Sequence, residues 1–259
     1  LDEIREVKDR VDIEIEAFAH GAMCISYSGR CLISSYMTGR SANQGDCAHP
    51  CRYRYALVEE TRPGEYFPVE EDERGTYMMS SKDLCMIEHL DKMFKAGIGA
   101  IKIEGRTKGI AYVGNVVRIY RKAIDRYLDN QETYSPEPGW LDELMAVSNR
   151  EYTTGFFFGR PDVRSQNYLS SSSSSPSGRE FVGVVRRVTG NEVMLEVRNR
   201  FKTGETLEFV GLSREPYIHI VETIEGLSGE TLLTANPGMT VILKIAFPAF
   251  INDMVRRRT

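Results

Sequence analysis

Apolar and acidic positions alternate over Val11-Asp-Ile-Glu-Ile-Glu-Ala-Phe18, the period of two that marks a half-buried strand. Ahead of it, Leu1 to Lys8 has the spacing of the end of an amphipathic helix. Ser80-Ser81-Lys82-Asp83 reads as a helix start, with Leu84, Ile87, Leu90 and Phe94 following as one apolar stripe until Gly97 and Gly99 end it. Ile98 to Glu104 reads as a second strand. A longer helix is predicted from about Ile110 to Leu128, with Val113, Val116, Val117, Tyr120, Ile124 and Tyr127 on one face. A short helix is predicted over Trp140–Val147. Further on the pattern changes: Phe181–Val188, Val193–Val197, Thr206–Val210, Tyr217–Ile224 and Val241–Phe247 are short β-type runs. Gly190-Asn191, Thr203-Gly204, Ser228-Gly229 and Asn236-Pro237-Gly238 punctuate them.

Strand, loop, helix, strand, helix is the order of a parallel α/β unit, and both an open doubly wound sheet and a (β/α) barrel fit it. The polar strand positions favour the barrel. Ile13, Ile15, Ile101 and Ile103 would face the helices, leaving Glu14, Glu16, Lys102 and Glu104 inward near the strand ends, where barrel active sites are built. An edge strand with one wet face is the plainer alternative. The closely spaced strands of the last 80 or so residues indicate a small antiparallel β-barrel. The expected fold class is therefore α/β plus all-β, the C-terminal part of a (β/α) barrel followed by a β-barrel. Residues 1–130 would form the partial barrel and 179–259 the β-barrel. Between them, 131–178 would be a linker holding a Pro/Glu stretch, a short helix and the hinge Ser170–Ser175.

Composition narrows the class without naming a function. The 259 residues are 41% hydrophobic and 27% charged, which excludes a disordered chain, a collagen-like fibre and a disulfide-dense miniprotein. A formal charge of −4 leaves nucleic-acid binding to local patches. The sequence has no apolar run of about 18 residues, so a membrane span is not expected. The abrupt start at Leu1 suggests a chain that begins inside a larger protein. A cytoplasmic location is expected, and an oligomer is compatible with the pattern.

Four of the five cysteines fall close together, as Cys24-x6-Cys31-x15-Cys47-x3-Cys51, and Cys85 stands apart on the predicted helix. Disulfides suit an oxidising compartment, and inert thiols suit a core. Gly29, Arg30, Gly45, Asp46, Pro50 and Arg52 give these cysteines loop neighbours, which favours a shared metal or iron–sulfur centre. Only the Cys47/Cys51 pair resembles a zinc knuckle; the wide Cys24/Cys31 gap suits a four-iron four-sulfur cluster better, with zinc the alternative. Cys85 is a reserve ligand or a packing residue.

Around them, His20 at the strand end is a candidate acid/base, with Glu16, Lys102, Glu104 and Arg106 as further catalytic candidates. His49, His89 and His219 read as structural. Arg30, Arg52, Tyr53 and Arg54 are candidate substrate-binding residues, since guanidinium groups grip carboxylates and phosphates. Tyr36, Tyr53 and Tyr55 are suited to stacking on an extruded base. Arg186, Arg187, Arg198, Arg200 and Lys202, with Phe201, form a second basic group suited to RNA, or simply the wet face of a sheet. The Gly-x-Ser-x-Gly elbow of serine hydrolases and the His-Glu-x-x-His helix of zinc proteases are absent from the sequence.

The run Glu16-Ala-Phe-Ala-His-Gly-Ala-Met-Cys24 with Ile25-Ser-Tyr-Ser-Gly-Arg-Cys-Leu-Ile-Ser34 resembles the signature of the U-thirty-two, or collagenase-like, peptidase family. Asn43-Gln-Gly-Asp-Cys-Ala-His-Pro-Cys-Arg-Tyr53, Ser81-Lys-Asp-Leu84, Ile101-Lys-Ile-Glu-Gly-Arg106 and Phe181-Val-Gly-Val-Val185 extend the resemblance over most of the chain. It implies a barrel whose upstream portion lies outside this sequence, and is most similar to the branch that hydroxylates tRNA uridines. It implies Cys24, Cys31, Cys47 and Cys51 as cluster ligands, prephenate as a small anionic co-substrate, and tRNA or other RNA as partner. The family name itself implies a peptidase of unassigned catalytic type. A third expectation is an RNA-binding fragment without activity.

Overall fold

A computed structural model describes residues 1–24, 26, 30–52, 56–57, 60–61, 63–64, 67–68, 82–147, 151–159, 178–212 and 215–258. The hinge Ser170–Ser175 lies outside them. The helices are α1 (Asp2–Arg10), α2 (Ile33–Thr38), α3 (Leu90–Lys95), α4 (Ile110–Asp129) and α5 (Trp140–Met145). The early strands are β1 (Glu16–Gly21), β2 (Ala56–Leu57), β3 (Phe67–Pro68), β4 (Asp83–Cys85), β5 (Ala100–Ile103) and β6 (Tyr152–Thr153). The later ones are β7 (Arg179–Thr189), β8 (Glu192–Val197), β9 (Phe201–Lys202), β10 (Thr206–Val210) and β11 (Tyr217–Ile220). They are followed by β12 (Ile224–Gly226), β13 (Thr231–Leu232), β14 (Thr234–Ala235), β15 (Thr240–Lys244) and β16 (Met254–Arg258).

Two compact units result: Leu1–Glu104 with Asn149–Ser173, and Gly105–Ser148 with Ser174–Thr259. The sequence division kept 1–130 together, whereas here α4 and α5 group with the C-terminal strands.

The first unit holds a four-stranded sheet in the order β5-β1-β4-β6. β1 runs parallel to β5, as the α/β grammar predicts, but antiparallel to β4, so the sheet is mixed. Residues 82–94 account for the difference. Helical spacing predicts a helix from Asp83, yet Asp83, Leu84 and Cys85 form a buried strand between β1 and β6, and the helix begins only at Leu90. Pairing on both edges supplies these backbone groups with ladder bonds that outweigh the local helical pattern. β1 also starts later than its alternation suggests. Lys8 Nζ binds the Ile13 carbonyl at 2.9 Å, and pairing begins where Gly99 N–H donates to Ile15 O at 3.0 Å. Ile13 therefore lies ahead of the strand, 53% exposed, and does not back onto helices.

The second unit is an eight-stranded antiparallel sheet in the order β11-β10-β16-β7-β8-β15-β12-β13, with β14-β9 as a separate pair. It curls around one apolar core in which Leu195, Leu207, Phe209, Ile224, Leu243 and Val255 are fully buried. Alternation accounts for this: Val193, Leu195 and Val197 turn inward while Glu192 and Glu196 do not. On the outer face, α4 and α5 are tied down by charge. Glu143 on α5 receives Arg118 of α4 at 2.8 Å and Arg256 of β16 at 2.8 and 3.1 Å, and it also pairs with Arg179 of β7. Arg256 continues to Glu208 of β10 at 2.8 Å, which in turn receives Arg258 at 2.8 Å. Burial pushes the Glu143 carboxyl up, but the Arg256 hydrogen bond and three guanidinium charges outweigh it and hold the group at about 2. This network also turns α4. Tyr112, Asn115, Val116, Ile119, Tyr120 and Ala123 are buried, while Val113 and Val117 of the predicted apolar face are exposed.

Candidate functional site

β1 brings the predicted catalytic residues to two environments. Glu16 and Phe18 lie on its exposed side beside Lys102 of β5; Lys102 Nζ is 3.1 Å from the Glu16 carboxylate and 5.3 Å from the Phe18 ring centre. The two charges share a face, as the period of two requires, and neutralise each other there. A register shift between Phe18 and His20 then changes the strand's course, and His20 is 1% exposed. Gly21 follows in the left-handed region at φ 116°, with its backbone against Glu104. The Glu104 N–H donates to the His20 carbonyl at 2.8 Å, and its side chain accepts from Ala22 N–H at 3.4 Å. Glu104 is thus held at the exit of β1.

His20 sits opposite Cys85 in the β1/β4 register, and Cys85 is buried on a strand rather than on the predicted helix. Two residues that sequence reasoning did not single out belong to the same place. Asp83, two positions from Cys85, is fully buried, and Tyr152 lies opposite it across β4/β6. The Tyr152 hydroxyl is 3.5 Å from His20 Nε2. A two-residue strand carries no periodicity, and Asp83 has the look of a helix cap, so neither gave a signal.

The cysteine segment folds as a small module over residues 30–52. α2 ends at Gly39 in the left-handed conformation and lies against the turn Pro50–Arg52. The buried Ser34 Oγ accepts from Ala48 N–H at 3.0 Å, Asn43 Oδ1 accepts from Cys31 N–H at 3.2 Å, and Arg40 pairs with Asp46 at 2.6 Å. Cys31, Cys47 and Cys51 are thereby placed on one module, with Cys31 buried and Cys47 and Cys51 partly so. Cys24 stands outside it, exposed at the exit of β1.

None of the five cysteines is in a disulfide. Cys24 Sγ accepts from Ser26 N–H at 3.4 Å and Cys47 Sγ from His49 N–H at 3.3 Å. By chemistry this donor set fits a soft metal or an iron–sulfur cluster. Its geometry is open: among the described residues, no three His, Cys, Asp or Glu side chains are gathered closely enough to hold an ion. The bonds between Cys31 and Asn43, between Ala48 and Ser34 and between Arg40 and Asp46 join residues within 30–52.

The other candidates separate. Arg30 is exposed beside Cys31, and Tyr36 on α2 is 92% exposed. The backbone of Arg52 belongs to the Pro50–Arg52 turn, while Tyr53, Arg54 and Tyr55 lie outside the described residues. Arg106 is exposed and falls in the second unit. There Phe201 is 1% exposed in the core and offers no stacking surface, and Arg186 and Arg198 both pair with Glu196 at 2.6 Å. His89 packs edge-on against Phe158, and burial lowers its pKa; His219 packs against Phe209 and Phe247, and burial lowers its pKa too. Both are structural. Among the described residues, no helix is long and apolar enough to cross a membrane.

A mixed α/β unit with a cysteine module and a second unit of two helices with a large curled antiparallel sheet define a two-part mixed α/β protein. Comparison with known families gives that class a name. The profile of Peptidase family U32 matches residues 1–167 and that of its C-terminal domain matches residues 177–256. The chain belongs to peptidase family U32. It is 40% identical to tRNA hydroxylation protein P1 of Bacillus subtilis over 98% of this chain and 60% of that protein. It is 34% identical to tRNA hydroxylation protein P of Escherichia coli over 95% of this chain and 62% of that protein. It is also 39% identical to a collagenase of Porphyromonas gingivalis, over 57% of this chain and 39% of that protein. The chain spans about 60% of the length of the tRNA hydroxylation proteins it matches.

Proposed function

We propose that this protein takes part in tRNA modification as an enzyme of hydroxylase type, adding a hydroxyl group to a uridine with prephenate as the hydroxyl source. The observation that carries the reading is likeness along nearly the whole chain, 98% of it, to a protein named for tRNA hydroxylation. In this reading Cys24, Cys31, Cys47 and Cys51 hold a four-iron four-sulfur cluster, which supplies a redox-active Lewis-acidic centre when bound. Arg30, with Arg52 and Arg54, binds the anionic co-substrate through paired N–H donors, and Tyr53 and Tyr36 offer stacking faces to an unpaired base. Glu16, Lys102, Glu104 and His20 supply the charged and proton-handling groups, on the mixed sheet of the first unit. The setting is the cytoplasm, where tRNA is found. Nucleoside mass spectrometry of tRNA from a strain lacking the gene tests the reading. Hydroxylated uridine is expected to vanish, to return with the wild-type gene and not with Cys24→Ser; unchanged tRNA would contradict it.

A peptidase reading has one observation in its favour, the collagenase-named relative over 57% of the chain. Cleavage of denatured collagen by the purified protein, abolished by a single Cys31→Ser or His20→Gln change, would establish it.

A further inference from the structure

His20 was the sequence's candidate for contact with substrate, yet at 1% exposure it is sealed from one. Tyr152 is the member of the pair that solvent reaches, since it is only partly buried. Its position is built with care. Glu151 immediately before it adopts the left-handed region at φ 60°, which a non-glycine residue enters only when its surroundings hold it there. They do: Lys82 Nζ lies 2.8 Å from the Glu151 carboxylate, and the Glu151 carbonyl accepts from Asp83 N–H at 2.9 Å. That turn lays β6 along β4. The registers Tyr152↔Asp83 and His20↔Cys85, with Asp83 and Cys85 two apart, put the phenol, carboxyl, thiol and imidazole on one face of the sheet. On that face the Tyr152 and His20 rings meet at 5.1 Å, tilted by 58°, with the hydroxyl 3.5 Å from Nε2.

We propose that Tyr152 is the group of this pair that touches the substrate base, and that His20 is its positioning residue, accepting the phenol proton at Nε2. A phenol is a stronger acid than a neutral imidazole N–H, and the bare imidazole nitrogen is the stronger base, so O–H···N is the favoured sense of the bond. His20 then carries its own proton on Nδ1. Proton movement along the bond breaks O–H, forms Nε2–H and leaves a phenolate beside an imidazolium, with no electron exchanged. A contact of 3.5 Å is long, as acid–base pairs often are before substrate closes the site. The substrate assignment rests on the tRNA-hydroxylation reading; the pair itself does not.

Nitrogen NMR of the protein labelled at histidine separates the two. His20→Gln assigns the signals. In the wild type His20 is expected to show a protonated Nδ1 and a hydrogen-bonded, unprotonated Nε2. Tyr152→Phe is expected to move Nε2 toward the position of an unbonded nitrogen while the circular dichroism and melting curve stay unchanged. A fluorinated tyrosine at position 152, with a more acidic hydroxyl, is expected to move it the other way and serves if Tyr152→Phe does not fold. A His20 signal indifferent to both changes, or an Nε2 found protonated in the wild type, overturns the pair. In tRNA hydroxylation, Tyr152→Phe is expected to lower kcat on the order of 100-fold with KM little changed, the range general acid–base groups contribute. Hydroxylation at the wild-type rate overturns the catalytic role. A wild-type protein without hydroxylating activity whose NMR shifts as expected would refute the function and leave the pair standing.

Discussion

At position 21 a side chain has nowhere to go. A Cβ on Gly21 would lie 2.4 Å from the Glu104 carbonyl oxygen, and φ 116° is closed to other residues in any case. That close approach sets Glu104 at the end of β1. Gly21→Ala is therefore expected to destabilise the first unit by at least about 1–3 kcal/mol, read as a lowered thermal midpoint. An unchanged midpoint would show that β1 and Glu104 are not packed as described. At this scale the sequence was informative where chemistry is local. The period of two along β1 and β5 was legible, and it put Glu16 and Lys102 on one face. It was silent where a residue's role comes from a partner far along the chain. Nothing near Tyr152 announces a histidine 132 positions away, and nothing near Phe201 reveals that its ring faces inward among Val197, Leu207 and Ala235.

Helices α4 and α5 show how a few charges orient whole elements. Glu143 is the common acceptor for Arg118, Arg179 and Arg256, and its carboxyl is held at about 2, below the ordinary 4.5. A depressed carboxyl contributes stability that is complete above its unfolded value and disappears as pH falls through its folded one. The second unit is thus expected to lose on the order of 3 kcal/mol between roughly pH 4.5 and pH 2. Acid unfolding followed by circular dichroism checks this: the wild type should show that loss, and Glu143→Gln should show little of it. At neutral pH the same variant takes the charged partner from buried Arg118 and leaves Arg256 to Glu208, and is expected to cost about 3–5 kcal/mol. A variant as stable as the wild type at both ends would contradict the assigned role. The length of α4 was legible from its periodicity, while its rotation was not. An apolar stripe names the buried face only when burial is apolar, and here Asn115 and Arg118 are buried by way of Glu143.

For the molecule as a whole, the sequence grammar carried furthest in the C-terminal half, where strands alternate cleanly and turns carry glycine. It carried least between Asp83 and Phe94, where strand pairing replaces a helix, and in the cysteine module, whose hydrogen bonds join loop residues without any period. The module also sets the expectation for metal. Anaerobically prepared protein is expected to contain iron and acid-labile sulfide, and Cys31→Ser or Cys47→Ser to lose most of both. Zinc in place of iron, or a full iron load in the variants, would reassign the cysteines. The most direct measurement is reconstitution under argon of the purified protein with unmodified tRNA and prephenate, followed by nucleoside mass spectrometry, with denatured collagen incubated in parallel. Hydroxylated uridine that depends on both prephenate and protein, with the collagen intact, is the expected result. Cleaved collagen beside unmodified tRNA would contradict the account.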